Sequence, residues 1–254
     1  MTTSEIILTT FIVLLALGVV VAVWKATTSP AGWRVWFLSK AARLYVAIML
    51  KWDSNRPCPF PKDGPAIIVG NHTSPVDPIL IWHRHEDEWP PGELRVIGFM
   101  VAAEYVVRPG IIGWVCRSVE SIPVKRAGRD MVAVRASLKR LKENKWLGIF
   151  PEGHINLTPE EGLNEFNTGA AFVSLKSGVP IYPVFIHNSP RSASMVRCFF
   201  KRSHVHVTYG EPIDLSAIYG DGKLSAEILD AATAHIVAEL ERTGADRWFE
   251  TTER

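Results

Sequence analysis

The stretch Ala66-Ile67-Ile68-Val69-Gly70-Asn71-His72-Thr73-Ser74-Pro75-Val76-Asp77 decides the fold. Its first four residues form a short continuous apolar run, the pattern of a strand covered on both faces. Gly70 closes the run, and Thr73-Ser74-Pro75 is a polar turn that suits a helix start with Pro75 in the first turn. A strand delivering a polar turn into a helix is the repeating step of an open α/β sheet, whose sites lie at the C-terminal ends of its strands.

The same texture continues downstream. Arg95–Val107 contains one or two apolar, β-branched segments, Ser118–Val124 reads as a strand, and Trp146–Phe150 reads as another running into Pro151. Val179–Ile186 is a further strand, and Cys198–Tyr209 holds one or two more. Between them, Arg129–Asn144 is helical, with Met131, Val134, Leu138 and Leu141 on one face. Gly169–Lys176 is a short helix and Leu224–Arg242 a final one. The alternation predicts an α/β fold with a mixed, largely parallel sheet flanked by helices.

Upstream of residue 57 the chain reads differently. Ile6 to Trp24 carry no charge, and as a helix at ~1.5 Å per residue they span roughly 28 Å, close to the hydrocarbon thickness of a bilayer. Glu5 before the run and Lys25 after it fit an uncleaved anchor better than a signal peptide, which wants a basic start and a shorter core. Lys25, Arg34, Lys40, Arg43, Lys51 and Arg56 all follow the run, and no Lys or Arg precedes it. The positive-inside rule then predicts a single-pass membrane protein with everything after residue 25 on the cytoplasmic side. Ala31 to Trp52 reads as a second helix with Lys40, Arg43 and Lys51 in one stripe beside Trp33 and Trp36, suited to the headgroup region. The organisation expected is a transmembrane anchor at 1–30, an amphipathic interfacial helix at 31–56 and one catalytic domain at 57–254.

Composition narrows the function. A formal net charge of +2 over 254 residues gives no general field for nucleic acid. Cys58, Cys116 and Cys198 are odd in number and far apart, which argues against a disulfide framework or a zinc site. No G-x-S-x-G elbow, Walker loop or G-x-G-x-x-G occurs. His83 and His85 would point apart on a helix and together on a strand, with no further acidic cluster beyond Glu86, and His204 and His206 share a strand face that a partly exposed edge strand explains without a ligand. No metal is expected.

Taken alone, His72 and Asp77 at this spacing read as a turn whose Asp or Ser caps a helix, and the pair also has the make-up of a catalytic base and its orienter. An acceptor hydroxyl has a pKa far above 7, so its attack on an acyl carbonyl needs a base, and histidine is the usual one. A carboxylate on the other ring nitrogen fixes the tautomer and stabilises the imidazolium. The polar turn folds Asp77 back toward the imidazole, and no enzyme nucleophile is needed, because the substrate hydroxyl plays that part.

Four segments in order resemble the glycerolipid acyltransferase family, the PlsC-like 1-acylglycerol-3-phosphate acyltransferases. They are Asn71-His72 through Asp77, Ser121-Ile122-Pro123-Val124-Lys125-Arg126, Phe150-Pro151-Glu152-Gly153, and Val179-Pro180-Ile181-Tyr182-Pro183-Val184. The resemblance implies transfer of a fatty acyl group from acyl-CoA or acyl carrier protein to a lysophospholipid, 1-acylglycerol-3-phosphate foremost, giving phosphatidate. By the same resemblance His72 and Asp77 are catalytic, while Asn71, Arg126, Glu152 and Gly153 bind substrate, with Arg126 on the acceptor phosphate. Glu152 would accept bonds from an acceptor hydroxyl or hold the arginine in place. Membrane lipids, the lyso-acceptor and the thioester donor are the expected partners, and no cofactor is implied. After Gly153 the family's small-then-basic continuation is replaced by His154-Ile155-Asn156, which leaves open glycerol-3-phosphate or a lyso-aminolipid as acceptor, or a lipid-binding protein without turnover.

Overall fold

The computed structural model describes residues 2–88, 94–125, 130–192, 194–220, 224–247 and 250, without the side chains of 84–88. Seven strands form one sheet: β1 (Leu50–Ser54), β2 (Ala66–Gly70), β3 (Ile97–Ala102), β4 (Ile122–Val124), β5 (Trp146–Ile149), β6 (Ile181–His187) and β7 (Ser203–Tyr209), in spatial order β1-β7-β6-β2-β5-β3-β4. Every neighbouring pair is parallel except β6 with β7. The helices are α1 (Thr3–Thr27), α2 (Trp33–Met49), α3 (Asp77–Glu88), α4 (Ala103–Val107), α5 (Ile111–Ser118), α6 (Met131–Lys142), α7 (Gly169–Ser177), α8 (Met195–Cys198), α9 (Leu215–Tyr219) and α10 (Ala226–Ala245). This is the mixed, largely parallel sheet that the alternation predicts.

Each face of the sheet carries its own core. Ile68, Val184, Val205 and Val207 pack with Leu80, Ile81 and Trp82 of α3 and with Val35 and Val46 of α2. Ile67, Val69, Leu147 and Ile181 pack on the opposite face with Ala133 and Leu141 of α6, Ala171 of α7 and Ile236 and Leu240 of α10. Central strand β2 is buried along its whole length, the reason its sequence is a continuous apolar run rather than an alternating one. Helix starts follow local chemistry: Asp130 Oδ1 accepts the Val132 and Ala133 N–H groups ahead of α6, and Ser225 caps α10 through the Ile228 N–H.

Several boundaries differ from the sequence reading: α3 begins at Asp77, so Pro75 precedes the helix rather than lying in its first turn, and the end of the β-like stretch 95–107 is helix α4. The helix expected over 31–52 ends at Met49, and Leu50–Ser54 crosses to the sheet as a parallel edge strand, Leu50 opposite Ser203 and Ser54 opposite Val207. Lys51 therefore leaves the helical stripe, and the sheet begins inside the segment assigned to the interfacial helix. Pairing with β7 overrides a helical pattern that the two short polar residues Asp53 and Ser54 end only weakly. The strand expected over 118–124 is likewise shorter, because α5 runs to Ser118 and only Ile122–Val124 pairs with β3.

Thr3–Thr27 is the one helix among the described residues long and apolar enough to cross a membrane, with a mean hydropathy of 3.0 and none of that window buried. Its start is a capping box in which Thr2 and Glu5 satisfy each other's backbone N–H. The helix is apolar all round, which is consistent with a membrane protein.

Arg140 fastens one end of the sheet. From α6 its guanidinium donates to the carbonyls of Trp146 and Val96, at the starts of β5 and β3, and to Glu120. Burial alone would push the Glu120 carboxyl up; the hydrogen bond from Lys145 and the charge of Arg140 outweigh it and hold the group below its ordinary value. Between these strands Gly148 lets Phe99 lie against the β5 backbone, since a Cβ there would sit 2.3 Å from the Phe99 ring and 2.9 Å from Ile97. Gly148→Ala is expected to lower stability by about 1–3 kcal/mol through this overpacking, read as a fall in denaturant midpoint at unchanged slope.

Candidate active site

The site grows from the end of β2. Beyond Gly70 the Asn71 side chain continues the ladder: its Oδ1 accepts the Ile186 N–H at 2.7 Å and its Nδ2 donates to the Ile186 carbonyl at 3.0 Å. Both ends of the amide are thus committed to the β6 backbone, which makes Asn71 a splice that fixes the direction of the next residue. His72 follows, and its peptide is gripped on both sides. Its N–H donates to Glu152 Oε1 at 2.8 Å, and its carbonyl accepts the Asn156 N–H at 2.6 Å. The imidazole stacks on Phe150, with centroids 4.2 Å apart and planes 15° from parallel, and Phe150 stacks in turn on Phe99.

Asp77 is the first residue of α3 and is completely buried. Its Oδ2 lies 3.0 Å from His72 Nδ1 and accepts the Thr73 and Ser74 N–H groups at 2.7 and 2.8 Å. Its Oδ1 accepts the Ser189 hydroxyl at 2.5 Å. The helix N-terminus adds favourable potential for the negative charge. With Nδ1 turned to this carboxylate, Nε2 is the ring nitrogen left outside the pair, and the His72 side chain keeps 17% of its surface exposed. A buried acceptor on Nδ1 stabilises a proton there and makes Nε2 a base.

The remaining expected site residues fall out as follows. Glu152 is buried, and its second oxygen accepts the Asn164 N–H at 3.0 Å; both of its oxygens hold backbone, at the base and at the loop after Gly153. Gly153 turns with φ 72°, a left-handed conformation that favours glycine. Arg126 lies outside the described residues, as do the side chains of His85 and Glu86. His83 is buried and set edge-on to Trp52. Three residues that matter here were not singled out from the sequence: Ser189, which holds Asp77; Phe99, which backs the imidazole stack; and Arg191. Only the proximity of Ser189 to the end of the strand that carries the fourth family-like segment hinted at the first of them.

A cavity of about 450 Å³ opens at the turn that follows His72. Thr73 and Pro75 of the histidine turn form one wall, Ile155, Leu157 and Met195 an apolar one, and Arg191 lies at the polar side. Arg191 pairs with Glu160 at 3.1 Å. The Glu160 carboxyl is held below its ordinary value by a backbone hydrogen bond and by this arginine. Ile155 of the segment that departs from the family pattern thus lines this cavity, and Asn156 anchors the segment by bonding the His72 carbonyl, the Gly162 carbonyl and the Thr158 N–H.

Sheet order, the strand-end histidine and its buried aspartate define a glycerolipid-acyltransferase-like α/β protein. The family model described as acyltransferase matches residues 53–187, and the chain belongs to that family. It is 26% identical over 164 residues to N-acylphosphatidylethanolamine synthase of Arabidopsis thaliana, covering 61% of this chain and 57% of that protein. It is 25% identical over 171 residues to a 1-acyl-sn-glycerol-3-phosphate acyltransferase of Saccharomyces cerevisiae (65% and 54% covered) and 27% identical over 133 residues to one of Borreliella burgdorferi (51% and 48%). The chain therefore spans about half the length of the curated relatives it matches. Among solved structures, the 1-acyl-sn-glycerophosphate (LPA) acyltransferase PlsC of Thermotoga maritima shares the fold, with a TM-score of 0.62 and 22% identity over 88% of this chain and 86% of that one.

The geometry fixes the tautomer. In ¹⁵N-labelled protein above the imidazole titration, His72 is expected to carry its proton on Nδ1, and Asp77→Asn to shift the population toward Nε2–H. An Nε2–H tautomer in the unaltered protein would contradict the assignment.

Proposed function

We propose that the chain transfers a fatty acyl group from an acyl-CoA or acyl-carrier-protein thioester to the free hydroxyl of a lysophospholipid, with 1-acylglycerol-3-phosphate as the first-choice acceptor and phosphatidate as its product. The observation that carries this reading is the buried Asp77 carboxylate on Nδ1 of His72, with a cavity lined by Thr73 and Pro75 of the turn between them. His72 Nε2 takes the proton of the acceptor hydroxyl as its oxygen attacks the thioester carbonyl. The tetrahedral adduct collapses with loss of the thiolate, which recovers that proton from the imidazolium, leaving ester and free thiol. Asp77 orients the ring and offsets its transient charge. Arg126 takes the acceptor phosphate by its place in the second family-like segment, and Arg191 is a second cation next to the cavity. The chemistry needs no metal.

A bilayer supplies both acceptor and product, and the surface supports docking on one. Trp33, Phe37, Leu44 and Ile48 of α2 are exposed, as are Ile111 of α5, Leu157, and Val196 and Phe200 around α8. Trp114 of α5 meets the rings of Trp33 and Phe37, so two of these elements form one apolar platform. Leu157 belongs to both this exposed apolar set and the cavity wall, a route for an acyl chain from lipid to base. With α1 as the anchor, the basic residues from Lys25 onward favour a cytoplasmic site.

A second acceptor class has its own support: Ile155 lines the cavity, where the family pattern continues toward a basic residue. A lyso-aminolipid or glycerol-3-phosphate is the alternative substrate of the same reaction.

The test is acyl transfer by the full chain in detergent, with both thioester donors and a panel of lyso-acceptors. Transfer to lysophosphatidate is expected, with a fall of about 10²–10⁴-fold in kcat for His72→Ala and a loss of similar size for Asp77→Asn. Transfer to another acceptor alone would move the substrate and keep the mechanism. Activity indifferent to His72 would overturn the reading.

A further inference from the structure

At the opposite margin of the sheet, edge strand β1 and its neighbour β7 bring together a carboxylate and two imidazoles that acyl transfer does not use. Asp53 and His206 are register partners across the parallel pair, and His204 lies on the same face of β7, two residues earlier. His204 Nε2 is 2.9 Å from Asp53 Oδ2, and His206 Nδ1 is 2.5 Å from Oδ1. The two rings stand 4.2 Å apart. The sequence offers the histidines without a third ligand, because Asp53 is 151 residues from His204 and only the strand register joins them.

We propose that Asp53, His204 and His206 form a binding site for a first-row divalent transition metal, zinc foremost, that clips β1 to β7. Three observations carry the assignment. The donor atoms all lie within 4.8 Å of one another; metal–ligand bonds of about 2.0–2.2 Å place tetrahedral ligand atoms roughly 3.3 Å apart, so closure takes side-chain shifts of about 1 Å. Two nitrogens and one carboxylate oxygen are a borderline set that favours zinc, cobalt or nickel over magnesium or calcium. Access is graded as a site requires: the His206 side chain is 4% exposed, while those of Asp53 and His204 are 39% and 37% exposed, so the ion enters from solvent onto a fixed base. Each imidazole binds as the neutral tautomer with its proton on the far nitrogen, and a water or an anion completes the fourth position.

The role follows from position. β1 leads directly out of α2, and its partner β7 is the one strand that links it to the rest of the sheet. A metal bridging Asp53 to β7 ties the membrane-proximal helix to the catalytic sheet. β7 and β1 are two and three strands away from β2, roughly 10–14 Å at about 4.8 Å per strand, so the ion stands apart from the imidazole of His72. The inference does not depend on the acyl-transfer reading.

The experiment uses untagged full chain in detergent, stripped with a chelator and titrated with Zn²⁺ by calorimetry and with Co²⁺ by visible absorption. Expected are one ion per chain, the d–d bands of a four-coordinate Co²⁺ site, and a rise in unfolding midpoint of roughly 5 °C at about a hundredfold excess over Kd. His204→Ala and the near-isosteric Asp53→Asn should each weaken binding by more than about tenfold and remove the midpoint shift, while His235→Ala, on α10, leaves both unchanged. Far-UV circular dichroism of the metal-free variants confirms that they fold. The absence of one-to-one binding, or binding that survives in both Asp53→Asn and His204→Ala, overturns the site. Binding without a midpoint shift overturns the clip.

Discussion

A carboxylate with no solvent contact is tolerable only if its charge is met by directed donors, and Asp77 is the point at which this chain satisfies that constraint. Two backbone N–H groups of the turn, the Ser189 hydroxyl and the His72 ring converge on it. Three demands of the fold bring these donors to one place. The turn has to leave β2 with its amides pointing inward, α3 has to begin at Asp77, and β6 has to end where Ser189 reaches across. The site is in this sense the common solution to three backbone problems at one margin of the sheet, and any arrangement lacking one of them leaves a buried charge short of a partner.

The sheet order explains why those demands coincide. β2 lies between β5 and β6, so the residues just past its end have a neighbour on either side. From β5 come Phe150, under the imidazole, and Glu152, on its peptide. From β6 come the Ile186 backbone on Asn71 and Ser189 on Asp77. The aromatic stack extends one strand further to Phe99, whose place depends on the bare backbone of Gly148. The position of the His72 ring is thus set by packing four strands wide, at the end of the central strand.

His72 and Asp77 were legible in the sequence because a strand, a turn and a helix start in one short segment bring them together by local geometry alone. The central strands were legible for a similar reason, since burial on both faces leaves no alternation to disguise them. The edge was not: Leu50-Lys51-Trp52-Asp53-Ser54 continues the apolar rhythm of α2, and only the pairing with β7 makes it a strand. Ser189 and Phe99 were beyond reach because their contributions depend on sequence-distant register, as with Ser189 on Asp77 across 112 residues. Asn71 and Glu152 carry a structural task that their place in the sequence does not reveal. Both sit where a ligand contact is expected, and both are occupied by backbone groups.

Asn156 and Glu152 grip the two sides of the His72 peptide from the segment that also forms the cavity wall. The cavity wall and the peptide that carries His72 are therefore not separable modules in this protein. A change at residues 154–157 that reshapes the cavity also moves the peptide that carries His72, so replacements there should arrive in correlated sets, with partners altered on β2 and β6, rather than singly.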